Sequence, residues 1–472
     1  MKKLVCIMIG LTVMISSCDL IDGTNVRNPN LTLDDAAAQQ NSATAWVNGL
    51  AQRNAVVYNS LLTVAELAGD NYVNKATFFN QNVDNGVYRD TDPNFNTAQQ
   101  NIARLREQAE FGLNDILENN PDAAGTELEA EMHFYKGWSH LLAGEYFIAL
   151  SAEEVGDPQS PDAHFQLAVE SFTRANSVNP SISYDLALAR AHYALGNQSE
   201  AVSFSEAVLS ADSDFVRYIE YDGVNGPTNT LQDAVYDRQS FNDFQPLPRL
   251  DFLDPKYGDL GGTNESPVVL QKAEEAHLIV AEAQLADNDL PAAQGTMQSI
   301  LSLVNSRPTR DIDDTEEGRA GTVDGGTNVR PNSSSYEVRA SSSAPFISGL
   351  ILDRTANTTV PTVSGTSLTS TDITNLSNGQ EALRALYLLR QEIFFGEGRR
   401  MVDLGIKWPI SEVEALNNPN IEASERQAVI PSYIPAEYGD MDAFTVDDTN
   451  QQVTITVDMN SVIASERGNK FD

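Results

Sequence analysis

A chain of 472 residues with 41% hydrophobic side chains can bury a large core, in one large domain or in two to three smaller ones. Its formal net charge of −37 at pH 7 excludes a general nucleic-acid-binding surface, because so acidic a chain is repelled by phosphate backbones and anionic lipid head groups alike. We interpret the surplus of acidic residues as a solvated surface that keeps the protein soluble.

The first eighteen residues have the pattern of an export signal. Two lysines precede an apolar run, Leu4 to Ile15, which is too short to span a bilayer but suits the apolar segment of a secretory signal. The segment ISSC at 15–18 then resembles the bacterial lipoprotein signal. This resemblance implies that residues 1–17 form a signal peptide that is removed and that Cys18 is acylated. The alternative is an ordinary signal peptide with a chance cysteine.

Acylation of Cys18 would leave the mature chain without a free thiol, since Cys6 is lost with the signal. Disulfides, thiolate metal sites and cysteine nucleophiles are then excluded. Residues 18–34 are polar and turn-rich and are interpreted as a tether to a single body at 35–472. Beyond the signal no apolar run is long enough to cross a membrane, so the lipid is the expected membrane anchor.

Helical periodicity begins near Asp34 and is interrupted by a loop-like stretch at about 69–96. Helix is predicted again beyond this stretch, where apolar residues at steps of three and four share one face: Ile102, Leu105, Ala109 and Leu113. The body therefore opens with two helices separated by an irregular insertion.

Two helical hairpins are predicted at about 126–212. The segment FYKGWSHLLAGEY at 134–146 has the spacing of the first helix of a tetratricopeptide unit. Ser160 is expected to cap the return helix, which ends before Pro180. In the next hairpin, Gly196 can take the left-handed position after a helix, and Asn197 with Glu200 resembles a capping box.

A third hairpin is predicted at about 267–305, where small residues on the first helix let a neighbouring helix approach closely. Such units bury their apolar faces only by stacking on one another. The hairpin turns near 144, 196 and 288 are unevenly spaced, so insertions separate the units and a regular solenoid is disfavoured.

Two long insertions lie at about 214–266 and 311–378. The first is rich in aromatic residues, Asp, Pro and Gly, and we expect ordered binding loops there. The second is rich in Ser, Thr, Gly and Asn, with short extended segments at 346–352 and 359–363. A C-terminal helix and tail follow at 379–472.

Two segments carry a resemblance to a known family. The helix KAEEAHLIVAEA at 272–283 and the segment LLRQEIFFGEGRRMVDLGIKW at 388–408, together with the lipoprotein-type cysteine and the split hairpins, resemble the SusD/RagB nutrient-uptake lipoproteins. The positions that match the late motif of that family are Arg390, Glu392, Glu397, Arg400, Asp403, Leu404 and Trp408. Val280 stands where the family usually has an arginine. We interpret the matching charged residues as structural, pairing the helix with the turn that follows it.

The resemblance implies a mostly α-helical protein of stacked tetratricopeptide-like hairpins with long irregular insertions and a few short strands. It also implies a lipoprotein of the cell outer membrane, facing the surface, that captures a nutrient for a TonB-dependent transporter. The expected ligand is a glycan, with a peptide as the other candidate. The alternative function is a tetratricopeptide scaffold lipoprotein for protein assembly, against which the two long insertions count.

Sugar binding needs flat aromatic faces and polar side chains on loops held by a rigid scaffold. The stretch 71–96 and the first insertion offer this mixture, and the candidate ligand-binding residues are Tyr72, Phe78, Phe79, Asn80, Tyr88, Tyr236, Phe241, Phe244 and Tyr257. The alternative is that most of these aromatic rings pack the loops onto the helices. Trp46, Trp138 and Trp408 lie in helical contexts and are interpreted as core residues.

No cofactor is expected. The five histidines do not have the spacing of a metal site, and an acidic run that begins at Asp311 could hold structural calcium but is better interpreted as solvated. No nucleophile elbow, phosphate-binding glycine loop or zinc-protease helix is present, and no pair of carboxylates stands out for glycoside hydrolysis. We therefore expect a binding protein rather than an enzyme.

Overall fold

The computed structural model describes residues 39, 41–74, 78–237, 244–258, 263–316, 330–353, 355–435 and 441–472. The expected signal peptide, Cys18 and the tether lie outside these residues, as does the predicted helix start near Asp34. Within the described part of the chain, none of the helices combines the length and the apolar character needed to cross a bilayer.

The described chain is mostly helical, as predicted. The helices are α1 (Ser42–Leu67), α2 (Phe78–Asp84), α3 (Pro93–Phe111), α4 (Leu117–Asn119), α5 (Glu127–Tyr146), α6 (Pro161–Val178), α7 (Ile182–Leu195), α8 (Gln198–Ala211), α9 (Thr230–Gln232), α10 (Ala273–Ala286), α11 (Leu290–Ser306), α12 (Ser370–Thr374), α13 (Gly379–Ile393), α14 (Arg400–Leu404), α15 (Glu412–Asn417) and α16 (Met459–Val462). A π-helical turn at Gly112–Ile116 and a 3₁₀ turn at Pro121–Ala123 connect α3 to α5, and a ten-residue 3₁₀ segment spans Pro248–Tyr257.

Short strands pair in small sheets between the helices. The strands are β1 (Tyr72–Val73), β2 (Leu150–Ser151), β3 (Pro158–Gln159), β4 (Val216–Ile219), β5 (Gln245–Pro246), β6 (Val268–Lys272), β7 (Thr309–Asp313), β8 (Glu337–Arg339), β9 (Asn357–Pro361), β10 (Phe444–Asp447) and β11 (Gln452–Ile455). Antiparallel pairs join β1 to β5, β2 to β3, β4 to β6 and β7 to β9, and β11 lies between β10 and β8. Of the two extended segments predicted in the second insertion, 359–363 overlaps β9, whereas 346–352 contributes only a bridge from Ile347 to Val338.

The three predicted hairpins are the pairs α5/α6, α7/α8 and α10/α11. Each helix packs against the next, and α8 packs directly against α10 although some sixty residues of insertion separate them in the sequence. The insertion therefore leaves the stack of helices and returns to it, and the stack is not interrupted. Stacking of this kind buries the apolar faces that a single hairpin leaves open.

The helix ends follow the predicted signals with one exception. Ser160 accepts a hydrogen bond from the backbone of Ala163, and Gly196 has φ 74°, the left-handed conformation that favours glycine. Asn197 was expected to form a capping box with Glu200, and this is wrong. Its side chain makes no capping bond and its amide instead faces His192 at 3.3 Å, which leaves the start of α8 without a side-chain cap.

Buried charges join the C-terminal segment to distant parts of the chain. Arg390 on α13 makes a bidentate contact with Asp403 on α14, with a shortest distance of 2.7 Å. Glu397 accepts hydrogen bonds from the ammonium groups of Lys256 and Lys272, at 2.5 and 2.7 Å. The structural interpretation of the late motif is confirmed, but only Arg390 pairs locally as predicted.

Arg400 also pairs over a long range. Its guanidinium contacts both carboxylate oxygens of Asp70, which lies just after α1, and donates to Asn460 at 2.8 Å. We call the group formed by Asp70, Lys256, Lys272, Arg390, Glu397, Arg400 and Asp403 the charged seam. It ties the start of the body, the first insertion and the C-terminal segment to one another.

Candidate functional site

A groove of about 600 Å³ opens between the N-terminal half of α1 and the segment that contains β4 and the loop after it. We call it the α1–β4 groove. Its volume lies in the range of small-molecule sites. It is lined by Ala45, Asn48, Gly49, Ala51, Gln52, Asn54, Tyr135, Tyr218, Ile219, Glu220, Tyr221, Asp222, Gly226, Pro227 and Leu270.

Three tyrosines form the aromatic wall of the groove. Tyr218 is 37% exposed, whereas Tyr135 and Tyr221 are buried beside it. The pairing of β4 with β6 shifts register between Arg217 and Tyr218, and an irregularity of this kind re-aims the side chain beside it. Tyr218 is thus partly exposed to solvent on a strand that is paired with β6.

Arg217 holds this wall in place from behind. Its guanidinium pairs with Glu131 on α5 at 2.7 Å, donates to the Tyr135 hydroxyl at 3.3 Å, and lies over the Phe134 ring at 4.2 Å. Because the strand residue before Tyr218 is bound to α5 in three ways, the exposed ring has a rigid support.

The opposite wall consists of amides on α1. Asn48 and Gln52 are exposed on successive turns, and Gln52 donates a hydrogen bond to the carbonyl of Gly226 at 2.7 Å, which closes one end of the groove. This bond leaves the side-chain carbonyl of Gln52 as an acceptor. The spacing of four residues places both amides on one face of the helix.

Two buried polar atoms of the groove residues lack a protein partner. The side-chain oxygen of Asn54 and the hydroxyl of Tyr221 are buried and form no hydrogen bond with any residue that the structure describes. Burial without a partner is costly, and such atoms call for a bound polar group or water.

Two acidic side chains complete the rim. Glu220 is exposed and Asp222 is half-buried. Hydrogen bonds from the Asn225 side chain and from the backbone of Asn225 and Val224 lower the pKa of Asp222, so its carboxylate is charged at neutral pH. Carboxylates accept hydrogen bonds from hydroxyl groups, and they repel anionic ligands.

The groove can bind a neutral polyhydroxylated molecule, with the Tyr218 ring against its C–H face and amides and carboxylates around its hydroxyls. Its described lining residues include no histidine, cysteine or lysine. Throughout the described ranges, no three His, Cys, Asp or Glu side chains are grouped so that they could hold a metal ion.

The aromatic residues predicted from the sequence lie elsewhere. Tyr72, Tyr88, Tyr236, Phe244 and Tyr257 are all buried, which corrects the expectation that their rings face a ligand. The reason is that both loops fold back onto the core: the Tyr72 ring stacks on Phe395 at 5.0 Å and meets Phe244 edge-on at 5.9 Å. These rings pack the loops onto the helices, as the alternative interpretation held.

Hydroxyl groups of the buried tyrosines bond to the backbone. Tyr88 donates to the carbonyl of Ala68, Tyr236 to that of Asp313, and Tyr257 to that of Gly396. Each of these bonds joins segments that are at least twenty residues apart in the sequence. The hydroxyls therefore serve to fix loops in place.

The four remaining candidate residues are not among the buried rings described above. Asn80 is half-buried on α2 and does not line the α1–β4 groove. Phe78 and Phe79 belong to the same helix, but their side chains lie outside the described residues, as does Phe241 entirely. Trp138 and Trp408 are fully buried and Trp46 is half-buried, which agrees with their interpretation as core residues.

Sequence reasoning missed Tyr218, Asn48 and Gln52. Tyr218 falls within the first insertion, whose role as binding loops was expected, but the segment VRYI gives no sign of the register shift that exposes one ring. The amides lie on the first helix, four residues apart, and only this spacing could have drawn attention to them.

No protein-family model matches the sequence, and a search of curated proteins finds no match either. Solved structures do match. A SusD superfamily protein from Bacteroides vulgatus superposes with a TM-score of 0.54 at 11% identity, covering 80% of this chain and 97% of that chain. A candidate sugar-binding protein from the same organism gives a TM-score of 0.51 at 10% identity, covering 81% of this chain and 97% of that chain.

These two structures share the fold of this chain over nearly their whole length. At sequence identities this low, the similarity shows the fold alone. The resemblance carried by residues 272–283 and 388–408 is thereby confirmed: the chain has the SusD-like fold, mostly α-helical, with tetratricopeptide-like hairpins and few short strands.

Proposed function

We propose that this protein captures an oligosaccharide or polysaccharide in the α1–β4 groove and delivers it to a TonB-dependent transporter of the outer membrane. In this proposal the protein is a surface-facing lipoprotein held by acyl chains on Cys18. It binds its ligand without transforming it.

The observation that carries the proposal is the composition of the groove. An exposed tyrosine on a paired strand and two amides of one helix line the groove, together with two carboxylates. Pyranose rings offer an apolar C–H face together with several hydroxyls, and this combination matches the groove. The shared fold with a candidate sugar-binding protein points the same way.

The anchor and the transporter rest on the sequence. The segment at 15–18 resembles a lipoprotein signal, and a protein held by acyl chains needs no transmembrane helix of its own. A capture protein at the cell surface must pass its ligand to a protein that carries it across the membrane. A TonB-dependent partner is what the family resemblance implies.

Affinity electrophoresis through gels that contain single polysaccharides tests the ligand class. We expect one polysaccharide to retard the protein, and Tyr218→Ala to weaken binding about tenfold, or about 1.4 kcal/mol, because the stacking face is lost. Tyr336→Ala is the matched control, since Tyr336 is half-buried far from the groove in the sequence and does not line it.

Equal retardation of the parent protein and Tyr218→Ala would move the glycan site elsewhere. Retention by peptides in place of polysaccharides would change the ligand class. Isolation of the native protein from outer membranes then tests the partner: one large transporter supports delivery, whereas a set of assembly factors supports the scaffold alternative. Mass spectrometry of the N-terminal peptide tests acylation of Cys18.

A further inference from the structure

A second cavity, of about 220 Å³, has a charge opposite to that of the molecule as a whole. It lies where the end of α5, the start of α6, the end of α7 and the C-terminal segment meet, and Glu145 on its wall is ten residues, or about 15 Å, along α5 from Tyr135 in the groove. We call it the cationic pocket. Its lining includes five basic residues, Arg390, Arg399, Lys407, Arg467 and Lys470, in a chain with only 30 lysines and arginines.

The two acidic residues on the wall are already neutralised. Glu145 receives both the Nε and the Nη2 donors of Arg190, at 2.7 and 2.5 Å. Asp403 receives the bidentate contact from Arg390. Each carboxylate therefore has an arginine as its hydrogen-bond partner, and it acts on a further basic group through its electrostatic field, Glu145 on Lys407 and Asp403 on Arg467.

Two of the remaining basic groups, Lys407 and Arg467, have neutral hydrogen-bond partners. Lys407 donates to the backbone carbonyls of Gly144 and Glu145, at 2.7 and 2.8 Å, and Arg467 donates to the carbonyl of Asp403. A carbonyl satisfies a donor but carries no formal charge. Lys470 lies on the same wall. The charges of Asp162 and Glu282 attract its ammonium group, whereas the charge of Arg467 repels it.

Arg399 provides an independent sign of a missing partner. It is 6% exposed, and its Nη2 donates to Glu275 at 2.8 Å, a carboxylate that Arg190 also approaches at 3.8 Å. Its Nε is buried and forms no hydrogen bond with the described residues. A buried guanidinium donor without an acceptor calls for one.

The protonation of Lys407 agrees with an excess of positive charge. Burial lowers the pKa of its ammonium to about 7, the Glu145 carboxylate opposes this shift, and Lys470 and Arg467 add to it. An anion in the pocket would reverse the shift. Binding at pH 8 would then be accompanied by proton uptake at Lys407.

We propose that the cationic pocket is an anion site that takes one tetrahedral oxyanion, the phosphate or sulfate group, between Arg399, Lys407, Arg467 and Lys470. Guanidinium and ammonium donors around a small cavity are the groups that bind such anions in proteins. A volume of 220 Å³ equals the share of about seven waters in the liquid, which is room for one such group and a few waters. The proposal does not depend on glycan binding in the groove.

Titration calorimetry of the purified protein with inorganic sulfate and with inorganic phosphate tests the site, with sodium chloride at matched ionic strength as the reference. We expect saturable binding of one anion per chain and a rise in Tm that chloride does not produce. Lys470→Gln should weaken binding about tenfold, and Lys470→Glu about a hundredfold, because the half-buried side chain of Lys470 lines the pocket. Lys136→Gln is the control, since Lys136 pairs with Glu110 on another surface.

A second measurement separates the site from a general effect of charge. At pH 8 the heat of binding should depend on the ionisation heat of the buffer, as proton uptake requires. Glucose 6-sulfate distinguishes the source of the group: binding of this ester together with free sulfate supports a sugar-linked ligand, and binding of the free ion alone supports an inorganic one. Absence of saturable binding by any of these anions, or equal weakening by Lys136→Gln, would overturn the proposal.

Discussion

Tyr218 and Tyr257 come from the same insertion and have opposite roles. Tyr218 in the α1–β4 groove is 37% exposed, whereas Tyr257 beside the charged seam is 1% exposed and donates to the carbonyl of Gly396 at 3.0 Å. A methyl group in place of the hydrogen of Gly396 would lie 2.5 Å from the Tyr257 ring, so the turn and the ring fit only with glycine there.

The two tyrosines differ in the partners of the charged residue that precedes each of them in the sequence. Lys256, the neighbour of Tyr257, is bound into the seam through Glu397, and this draws the whole 3₁₀ segment into the core. Arg217, the neighbour of Tyr218, is bound sideways to α5, which leaves the ring at the surface. The two tyrosines thus differ in exposure, and their charged neighbours differ in what they are bound to.

Glu397→Ala is the most severe way to break the seam. The change would leave the ammonium groups of Lys256 and Lys272 buried without a counter-charge, and removal of one partner from a buried pair costs about 3–5 kcal/mol. We expect a loss of this size in the free energy of unfolding measured with urea. Glu118→Ala, at an exposed position, should stay within about 0.5 kcal/mol. Equal stability of the two variants would contradict the role of the seam.

Acid should weaken α5, the helix that runs from the groove to the cationic pocket. His140 on α5 and His164 on α6 are buried with their Nδ1 atoms 3.0 Å apart, and His164 Nε2 donates to the Leu150 carbonyl at 2.9 Å, so His140 must be the donor between the rings. Burial lowers the pKa of His164 to about 4 and that of His140 to about 2, the latter with a contribution from His164.

Because the unfolded state binds protons near pH 6.5 and the folded state does not, this pair stabilises the protein fully above pH 6.5 and loses that effect as the pH falls toward 4. His164 alone accounts for on the order of 3 kcal/mol over this window. Glu66 acts in the opposite sense, since burial raises its pKa to about 7. The test is therefore a difference: unfolding between pH 6.5 and 5 should depend less on pH in the double variant His140→Gln, His164→Gln than in the parent. Parallel pH profiles would refute it.

Tyr257→Phe sharpens the comparison without removing a ring. The Gly396 carbonyl would lose its partner, and we expect a loss of about 1–2 kcal/mol in the free energy of unfolding with unchanged retention in polysaccharide gels. Weaker glycan binding by this variant, under conditions in which it is fully folded, would place Tyr257 in the binding site.

Tyr218→Phe should have the smallest effect. The phenyl ring keeps the stacking face, so we expect glycan affinity to fall by less than about threefold and stability to change by less than about 0.5 kcal/mol. The readouts are affinity electrophoresis and thermal unfolding. A loss as large as that of Tyr218→Ala would show that the hydroxyl and not the ring face carries the contact.

The sequence by itself determined the local structure of this protein. Helical periodicity and caps such as Ser160 and Gly196 depend on residues a few positions apart, and the hairpins they predicted were found. The resemblance carried by residues 272–283 and 388–408 indicated the fold for the same reason, because each motif is a pattern of residues a few positions apart in the chain.

Only the tertiary structure decided which loop residues face solvent. The pairing of Arg400 with Asp70 and of Glu397 with two lysines spans more than a hundred residues, and no short-range pattern specifies it. Burial of Tyr257 follows from those long-range ion pairs, and exposure of Tyr218 from a register shift between two strands that are fifty residues apart. Side-chain type and spacing describe neighbours along the chain, whereas burial depends on neighbours in space.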